Sequence, residues 1–243
     1  MPSSNKTGGH GAADVSTIAV FQTEWDTYRK AVENNFLFHR EAYARLHEVV
    51  ARDFPLPFEF LDIACGDASA SAGALTGTAI AKYTGIDFSP LALALAAKNL
   101  AVLGCPVELV QRDFLDAIDE AREPVDIVWI GLSLHHLRAS DKLAFMQKVR
   151  GILKPHGRLM IFENTSPDGE DRSSWLGRWD EQRTRWTAYS AEEWTRMANH
   201  VHAADFPETV STWRSLGRDA GFRSSEDLYS TPTNFFRVWS FET

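Results

Sequence analysis

Apolar residues along this chain fall into two alternating patterns. One is a series of short runs: Phe60, Leu61, Ile63 and Ala64, then Ala79 to Ile86, Pro106 to Gln111, Val125 to Leu132, and Arg158 to Phe162. Runs that are apolar at consecutive positions suit strands buried on both faces of a parallel sheet. Between the runs, apolar residues recur at helical spacing. Ser69 opens an Ala-rich helix. Ser89 and Pro90 form an N-cap and first-turn pair for a helix closed by Gly104. Ser140 is placed to cap a helix carrying Leu143, Met146, Val149 and Leu153 on one face, and the turn Lys154-Pro155-His156-Gly157 leads into the fifth strand. Strands alternating with helices of this length imply parallel crossovers, hence a doubly wound α/β fold.

The flanks read differently. Residues 1–14 are polar and Gly-rich and are expected to be disordered. Two helices follow, Thr17 to Glu33 and Phe36 to Asp53, the second with Phe36, Tyr43, Leu46 and Val50 in register and Pro55 and Pro57 behind it. After the fifth strand comes an insertion, Glu163 to Tyr189. Four of the eight tryptophans lie between Trp175 and Trp194, and Trp175, Trp179 and Trp186 are spaced to share a helical face. Ser190 to Glu193 is a capping box for a helix through Val201. Pro207 opens another, ending at Gly221. Ser224 to Tyr229 and Phe235 to Phe241 read as two strands joined by Ser230-Thr231-Pro232-Thr233. No internal repeat and no second domain is evident.

Composition narrows the function. A chain of 243 residues with 44% hydrophobic content can bury one sizeable core. The formal net charge of -8, with no block of Lys or Arg, argues against nucleic acid and anionic membrane as partners. No apolar run approaches a membrane span, and no secretory signal is seen, so a cytoplasmic protein is expected. The two cysteines, Cys65 and Cys105, do not suggest a disulfide framework or a structural zinc site, and a reducing compartment fits.

The chemistry centres on FLDIACGDAS, Phe60 to Ser69. Asp62 puts a charge into an apolar strand, which requires a compensating role. The strand stops at the small residues Cys65-Gly66-Asp67-Ala68, and a helix follows. A strand, a tight small-residue turn and a helix present backbone N–H groups to a ligand. GIDFSP places Asp87 at the end of the second strand, QRDFLD places Asp113 and Phe114 at the end of the third, and VDIVWIGLSLHHL runs a fourth strand into a polar loop. In this order the set resembles the class I S-adenosylmethionine-dependent methyltransferases of small-molecule type, whose first motif is an acid followed by a glycine-rich turn. Two positions usually occupied by Gly are Ala64 and Ala68 here. Ala resists positive φ, so the turn either uses ordinary angles at these positions or bears strain.

The resemblance implies a Rossmann-like seven-stranded sheet with its last strand antiparallel, N-terminal helices, and a helical cap inserted after the fifth strand. It implies one domain over 15–243: helices to 57, a cofactor-binding core over 58–163, an acceptor cap over 164–221 and a closing hairpin over 222–243. The implied cofactor is S-adenosyl-L-methionine, with S-adenosyl-L-homocysteine as product. Ala64, Cys65, Gly66 and Asp67 would lie under its methionine end, with Asp62 and Asp67 near the positive charges. Asp87 would accept from the ribose hydroxyls, an acid's role in dinucleotide folds as well. Phe88 would sit beside Asp87, Asp113 would take the adenine amino group with Phe114 against the ring, and Gly131, Leu132 and Ser133 would border the methyl-transfer zone. Helices closing over the cofactor make Tyr28, His39 and Tyr43 candidates to face it.

For the acceptor, an oxygen or nitrogen of a small molecule, a proton must often be removed. Candidates are His136, Glu163 and Tyr28, with His135, His200, His202 and Asp205 nearby in sequence or in the cap. His39, Trp175, Trp179, Trp186 and His200 are candidates to bind the acceptor. Aromatic faces would suit an aromatic or cationic amine, whereas Arg172, Arg178, Arg183 and Arg185 would suit a carboxylate. No metal is expected. His200 and His202 diverge on one helix, and Glu163-Asn164 is similar to the acid–amide pair of metal-dependent catechol methyltransferases, but no matching acid follows the fourth strand. A monomer or homodimer is expected. Two other readings stay open. A catalytically silent S-adenosylmethionine-binding module would carry the same motifs. A nicotinamide-dependent oxidoreductase would need G-x-G-x-x-G, of which only Gly66 is present. Each acid taken singly also fits a solvated strand end or helix cap, and the tryptophans fit packing on the sheet.

Overall fold

The structure, a computed structural model, describes residues 27–118 and 123–243. The tail expected at 1–14 and the beginning of the first expected helix lie outside the described residues. The strands are β1 (Phe58–Ile63), β2 (Ile80–Asp87), β3 (Val107–Gln111), β4 (Val125–Gly131), β5 (Leu153–Ser166), a two-residue β6 (Glu208–Thr209), β7 (Ser224–Ser230) and β8 (Phe236–Glu242). They form one sheet in the order β3-β2-β1-β4-β5-β8-β7, with β6 pairing only with β5. The pairs among β1 to β5 are parallel, and β8 runs antiparallel to both β5 and β7. The doubly wound sheet with an antiparallel last strand is therefore present as expected. Strand order reverses between β1 and β4, which places a ligand crevice beyond their carboxyl ends.

The described part of α1 covers residues 27–33. The other helices are α2 (His39–Asp53), α3 (Ser69–Leu75), α4 (Pro90–Asn99), α5 (Phe114–Ile118), α6 (Ala139–Gly151), α7 (Arg172–Asp180), α8 (Ala191–Ala204) and α9 (Val210–Asp219). Local chemistry starts several of them. Ser89 Oγ accepts the Ala92 N–H, and Ser190 and Glu193 exchange both bonds of a capping box. Alternation along β1 divides the core. Phe58 and Phe60 face a layer shared with α2, α3 and the tryptophans of the α7–α8 segment, while Leu61 and Ile63 face a layer shared with α6 and α9.

β5 runs on through Ser166 rather than ending at Phe162, so the insertion begins later than Glu163, and α7 ends at Asp180, so Trp186 does not share a helical face with Trp175 and Trp179. Four other boundaries differ from expectation, each for a local reason. The second N-terminal helix begins at His39 rather than Phe36, because Asn35 and Phe38 take left-handed angles, φ 54 and 61. The helix expected to be capped by Ser140 starts two residues earlier, at Ala139 after Arg138 with no side-chain cap, and Leu153 belongs to β5. Lys154-Pro155-His156-Gly157 is not a turn before the strand but a bulge inside it: Val125 pairs with Leu153 and Ile127 with Arg158, leaving four residues opposite Asp126. A Cβ on Gly157 would lie 2.8 Å from Lys154 O and 3.0 Å from Asp126 O, so only Gly fits there. The helix expected from Pro207 begins at Val210, because Glu208 and Thr209 first pair with Thr165 and Ser166 and Thr209 then caps it.

Candidate functional site

The turn after β1 takes the strained alternative. Ala64, Gly66 and Ala68 have φ of 55, 56 and 52. The two alanines cost about 1–2 kcal/mol each in this region, and surrounding bonds hold them there. Cys65 N–H reaches Ile86 O, Gly66 N–H reaches Asp87 Oδ2 at 2.8 Å, and Asp67 Oδ1 accepts the Ser69 N–H. Asn99 Nδ2 donates to Asp67 O from α4.

Asp62 shares the face of Phe60 and points beneath α3. It is buried and accepts from Ser71 Oγ at 2.5 Å and Tyr83 OH at 2.6 Å. Burial pushes its pKa up to about 7, with Asp87 adding to the rise and the two hydroxyls opposing it. It does not line the crevice above the turn, but Ser71, its partner, does.

That crevice has a volume of about 530 Å³, within the usual range for a small-ligand site. Its floor is the run from Ala64 to Ser71. Asp87 and Phe88 stand at one side, Gly131, Leu132 and Ser133 at another, and Tyr28, His39 and Tyr43 close it from the helices. Asp87 is buried and its carboxylate already accepts the Gly66 and Ser89 N–H groups. Burial raises its pKa while these donors oppose the rise. Each carboxylate oxygen keeps a further acceptor position for a ligand. Phe88 is 67% exposed, an apolar ring at the mouth. Tyr28 OH lies 2.9 Å from His39 Nε2. Burial pushes His39 down to about 4, so the pair is neutral at physiological pH. Small floor residues, an acid at the far wall and an open aromatic beside it fit a nucleoside bearing an amino-acid tail. Asp113 and Phe114 are not among the lining residues. Asp113 is exposed and accepts the Leu115 N–H at 2.8 Å, and Phe114 packs edge-on against Phe145.

A second cavity of about 300 Å³ adjoins the first and shares Tyr28 and Leu132 with it. One wall is apolar: Leu37, Trp179, Trp186, Tyr189 and Phe236. The other is polar: His135, His136, Asn164, Arg196, His200 and Asp205. The loop after β4 builds the polar wall. Leu132 turns with φ 50, and the N–H groups of Ser133, Leu134 and His135 all point at the Glu163 carboxylate, at 2.6, 2.6 and 3.2 Å. His135 Nδ1 donates to the same carboxylate at 2.8 Å.

Glu163 is fully buried and lines neither cavity. Burial favours its neutral form, but His135 and the three N–H donors outweigh this and hold its pKa below the ordinary value. His135 is raised in turn: burial opposes its charge, and Glu163 and Asp205 more than offset that. His136, beside His135 at the cavity wall and partly buried, is pushed down to about 4.

The structure therefore brings Tyr28, His136, His200, Trp179 and Trp186 to the second cavity, and His39 to the first. It leaves Trp175 in the core, where it stacks on Trp179 at 5.5 Å. None of Arg172, Arg178, Arg183 and Arg185, the arginines expected to hold a carboxylate, lines either cavity. Arg172 donates to the backbone of Asp205 and His202, and Arg178 pairs with Glu170. The arginine at the cavity is Arg196, which sequence reasoning missed. Its spacing with His200 on α8, one helical turn, was the signal available. Leu37, Tyr189 and Phe236 carried no such signal, and Asn164 stood out only beside Glu163 as an acid–amide pair.

The fold and the crevice define a class I methyltransferase architecture, and comparison with known proteins agrees. Residues 60–157 match the family described as Methyltransferase domain. The matched stretch covers β1 to the start of β5, and with the sheet order it resembles the class I S-adenosylmethionine-dependent methyltransferases. A carboxy-S-adenosyl-L-methionine synthase of Chromohalobacter salexigens is 26% identical over 142 residues, 57% of this chain and 51% of the relative. The chain spans about half the length of the curated relatives it matches. Among solved structures, an O-methyltransferase family protein from Burkholderia thailandensis superposes with a TM-score of 0.64 at 19% identity, covering 91% of this chain and 61% of that one. A magnesium protoporphyrin IX methyltransferase from Synechocystis PCC 6803 with bound SAH gives 0.61 at 15% identity, covering 90% and 94%. Among the described residues, no helix is long and apolar enough to cross a membrane.

Proposed function

We propose that this protein transfers a methyl group to an oxygen or nitrogen of a small molecule held in the 300 Å³ cavity. The observation carrying this reading is that the two cavities share Tyr28 and Leu132, so a ligand in each would meet at that boundary. Bound in the first cavity, S-adenosylmethionine supplies a methyl already activated on a sulfonium, and alignment then provides much of the acceleration. The chain's own residues do the rest. Asp87 and the turn from Ala64 to Ala68 hold the cofactor end. Tyr28 and His39 cover it. The tryptophan wall holds the apolar part of the acceptor, and the histidine–aspartate wall faces its reacting atom and receives its proton. Glu163 acts as a positioning residue, holding His135 and the loop from Ser133.

A second reading has one observation in its favour. The curated relatives are named as synthases of a carboxylated cofactor, and Arg196 at the polar wall is suited to a carboxylate-bearing ligand.

Incubation with S-adenosylmethionine and a metabolite extract, followed by mass detection, separates the readings. A methylated metabolite together with S-adenosylhomocysteine is expected. Carboxylated S-adenosylmethionine would favour the second reading. Stabilisation by S-adenosylhomocysteine with no product at all would favour a silent binding module, and stabilisation by NAD alone would overturn the assignment.

A further inference from the structure

The polar wall of the acceptor cavity carries an unresolved charge problem. Asp205 is 3% exposed. Its Oδ2 accepts from Asn164 Nδ2 at 2.8 Å, but its Oδ1 has no hydrogen-bond partner. A buried carboxylate oxygen without a donor is costly. This one points between two imidazoles, 3.8 Å from His135 Nε2 and 3.6 Å from His136 Nδ1. Both distances are too long for a hydrogen bond. They are close to the spacing of two atoms bound to one ion: ligands about 2.1 Å from a metal at a tetrahedral angle stand about 3.4 Å apart.

We propose that His135, His136 and Asp205 bind a divalent transition-metal ion at the wall of the acceptor cavity. One ligand atom from each lies within 4.8 Å of the others, and His136 Nδ1, 3.3 Å from Ala204 O, would give up that hydrogen bond and its proton to take the ion. The surroundings of His135 are those of a metal ligand. Its Nδ1–H donates to buried Glu163, which fixes the tautomer and leaves the Nε2 lone pair facing Asp205 Oδ1. Either a proton on Nε2 or a metal ion can stand between these two atoms, and the nearby His136 favours the ion. A carboxylate behind a ligating imidazole is the usual outer partner in such sites. His200, whose ring stands 5.2 Å from that of His136 in an edge-to-face contact, is placed to complete the set, or the fourth position stays open to the cavity. Two imidazoles and one carboxylate suit zinc, iron, cobalt or nickel, and not calcium or magnesium, which take oxygen ligands. The ion's role rests on the reading of this cavity as the acceptor site and would replace direct proton transfer to the ligating side chains: an open position would hold the acceptor's oxygen or nitrogen beside the Tyr28–Leu132 boundary and lower its pKa so that it loses its proton to solvent. Its existence does not depend on that reading.

The test is equilibrium dialysis of the chelator-treated full chain against Zn²⁺ and Co²⁺, with elemental analysis and the visible spectrum of the Co²⁺ form, in the absence of cofactor and acceptor. One equivalent per chain is expected. Asp205→Asn and His136→Ala should each weaken binding at least tenfold, and Glu163→Gln tenfold to a hundredfold. His202→Ala should bind as the wild type does, since His202 pairs with Asp180 elsewhere. His136 has a 42% exposed side chain, so its removal should leave the fold intact. Stabilisation by S-adenosylhomocysteine checks that each variant is folded. No stoichiometric binding by the wild type, or equal binding by the Asp205 and His136 variants, overturns the site. Undiminished methyl transfer by the chelator-treated protein overturns its role while leaving the methyltransferase reading intact.

Discussion

Asp87 Oδ2 accepts the Gly66 N–H at 2.8 Å, tying the end of β2 to the turn that follows β1. Its other oxygen holds the Ser89 N–H at the start of α4. One carboxylate thus fixes the crevice floor and faces the position expected for a ribose. Asp87→Ala should therefore lower both stability and affinity. Two backbone donors lose their acceptor, at about 1–3 kcal/mol for each group left unsatisfied. Affinity for S-adenosylhomocysteine should fall roughly ten- to a hundredfold. Asp87→Asn should be milder, since its amide oxygen still accepts. Denaturant melts and calorimetric titration of both variants check this. Lower stability with unchanged affinity would leave Asp87 a purely structural role.

Asp62 makes stability depend on pH in a definite direction. Its folded pKa of about 7 lies above the ordinary value of 3.8. Between those values the folded chain keeps a proton that the unfolded chain has lost. The contribution of Asp62 is therefore complete below about pH 4 and falls as pH rises to about 7, by up to about 1.4 kcal/mol per pH unit. Asp62→Asn should remove that slope. Denaturation midpoints at several pH values from 4 to 8 should show the difference between wild type and variant shrinking with rising pH and then levelling. Parallel curves would show that Asp62 titrates normally.

Trp175 separates packing from acceptor binding. It is fully buried, stacks on Trp179 and meets Phe235 edge-on, and it lines neither cavity. Trp175→Ala should cost about 3–5 kcal/mol of stability, while protein that remains folded keeps its affinity for S-adenosylhomocysteine. An unfolding curve and a titration on the same sample decide it. A large loss of affinity with little loss of stability would place Trp175 at the site after all.

What was legible in the sequence follows from range. The β1 turn is local chemistry: an apolar run, small residues and a helix start, all within ten positions. The acids at strand ends were found through order and spacing, and Asp87 reaches the crevice as that spacing implied. Asp113 shows the limit, since the same position also suits an Asx-type start for α5, and that is the contact it makes. Lys154 to Gly157 has turn composition, and only pairing with β4 reveals a bulge. The second cavity was least legible. It is assembled from Leu37, α8, the β8 end and the β4–α6 loop, and adjacent His135 and His136 differ in burial only because a 3-10 turn wraps Leu134–His136 over Glu163.

Glu163 gives the sharpest test of that assembly. A proton acceptor must reach the acceptor's reacting atom, and Glu163 is enclosed by the Ser133, Leu134 and His135 N–H groups and the His135 ring. Glu163→Gln keeps the volume but replaces one accepting oxygen with an NH2 that only donates. That group would face N–H donors, so the loop should loosen. Bonds to a charged group contribute about 1.5–3 kcal/mol each, and more than one is lost. The expected result is a clear fall in stability and faster hydrogen exchange at the amides of Leu134 and His135, accompanied by reduced turnover. Glu163→Asp, which keeps the charge but pulls it back by one methylene, should recover part of each. If Glu163 instead took the acceptor's proton directly, Glu163→Gln would abolish turnover while stability and amide exchange stayed at wild-type values. Measuring all three quantities on one preparation distinguishes a residue that performs the proton transfer from one that holds the loop where the transfer occurs.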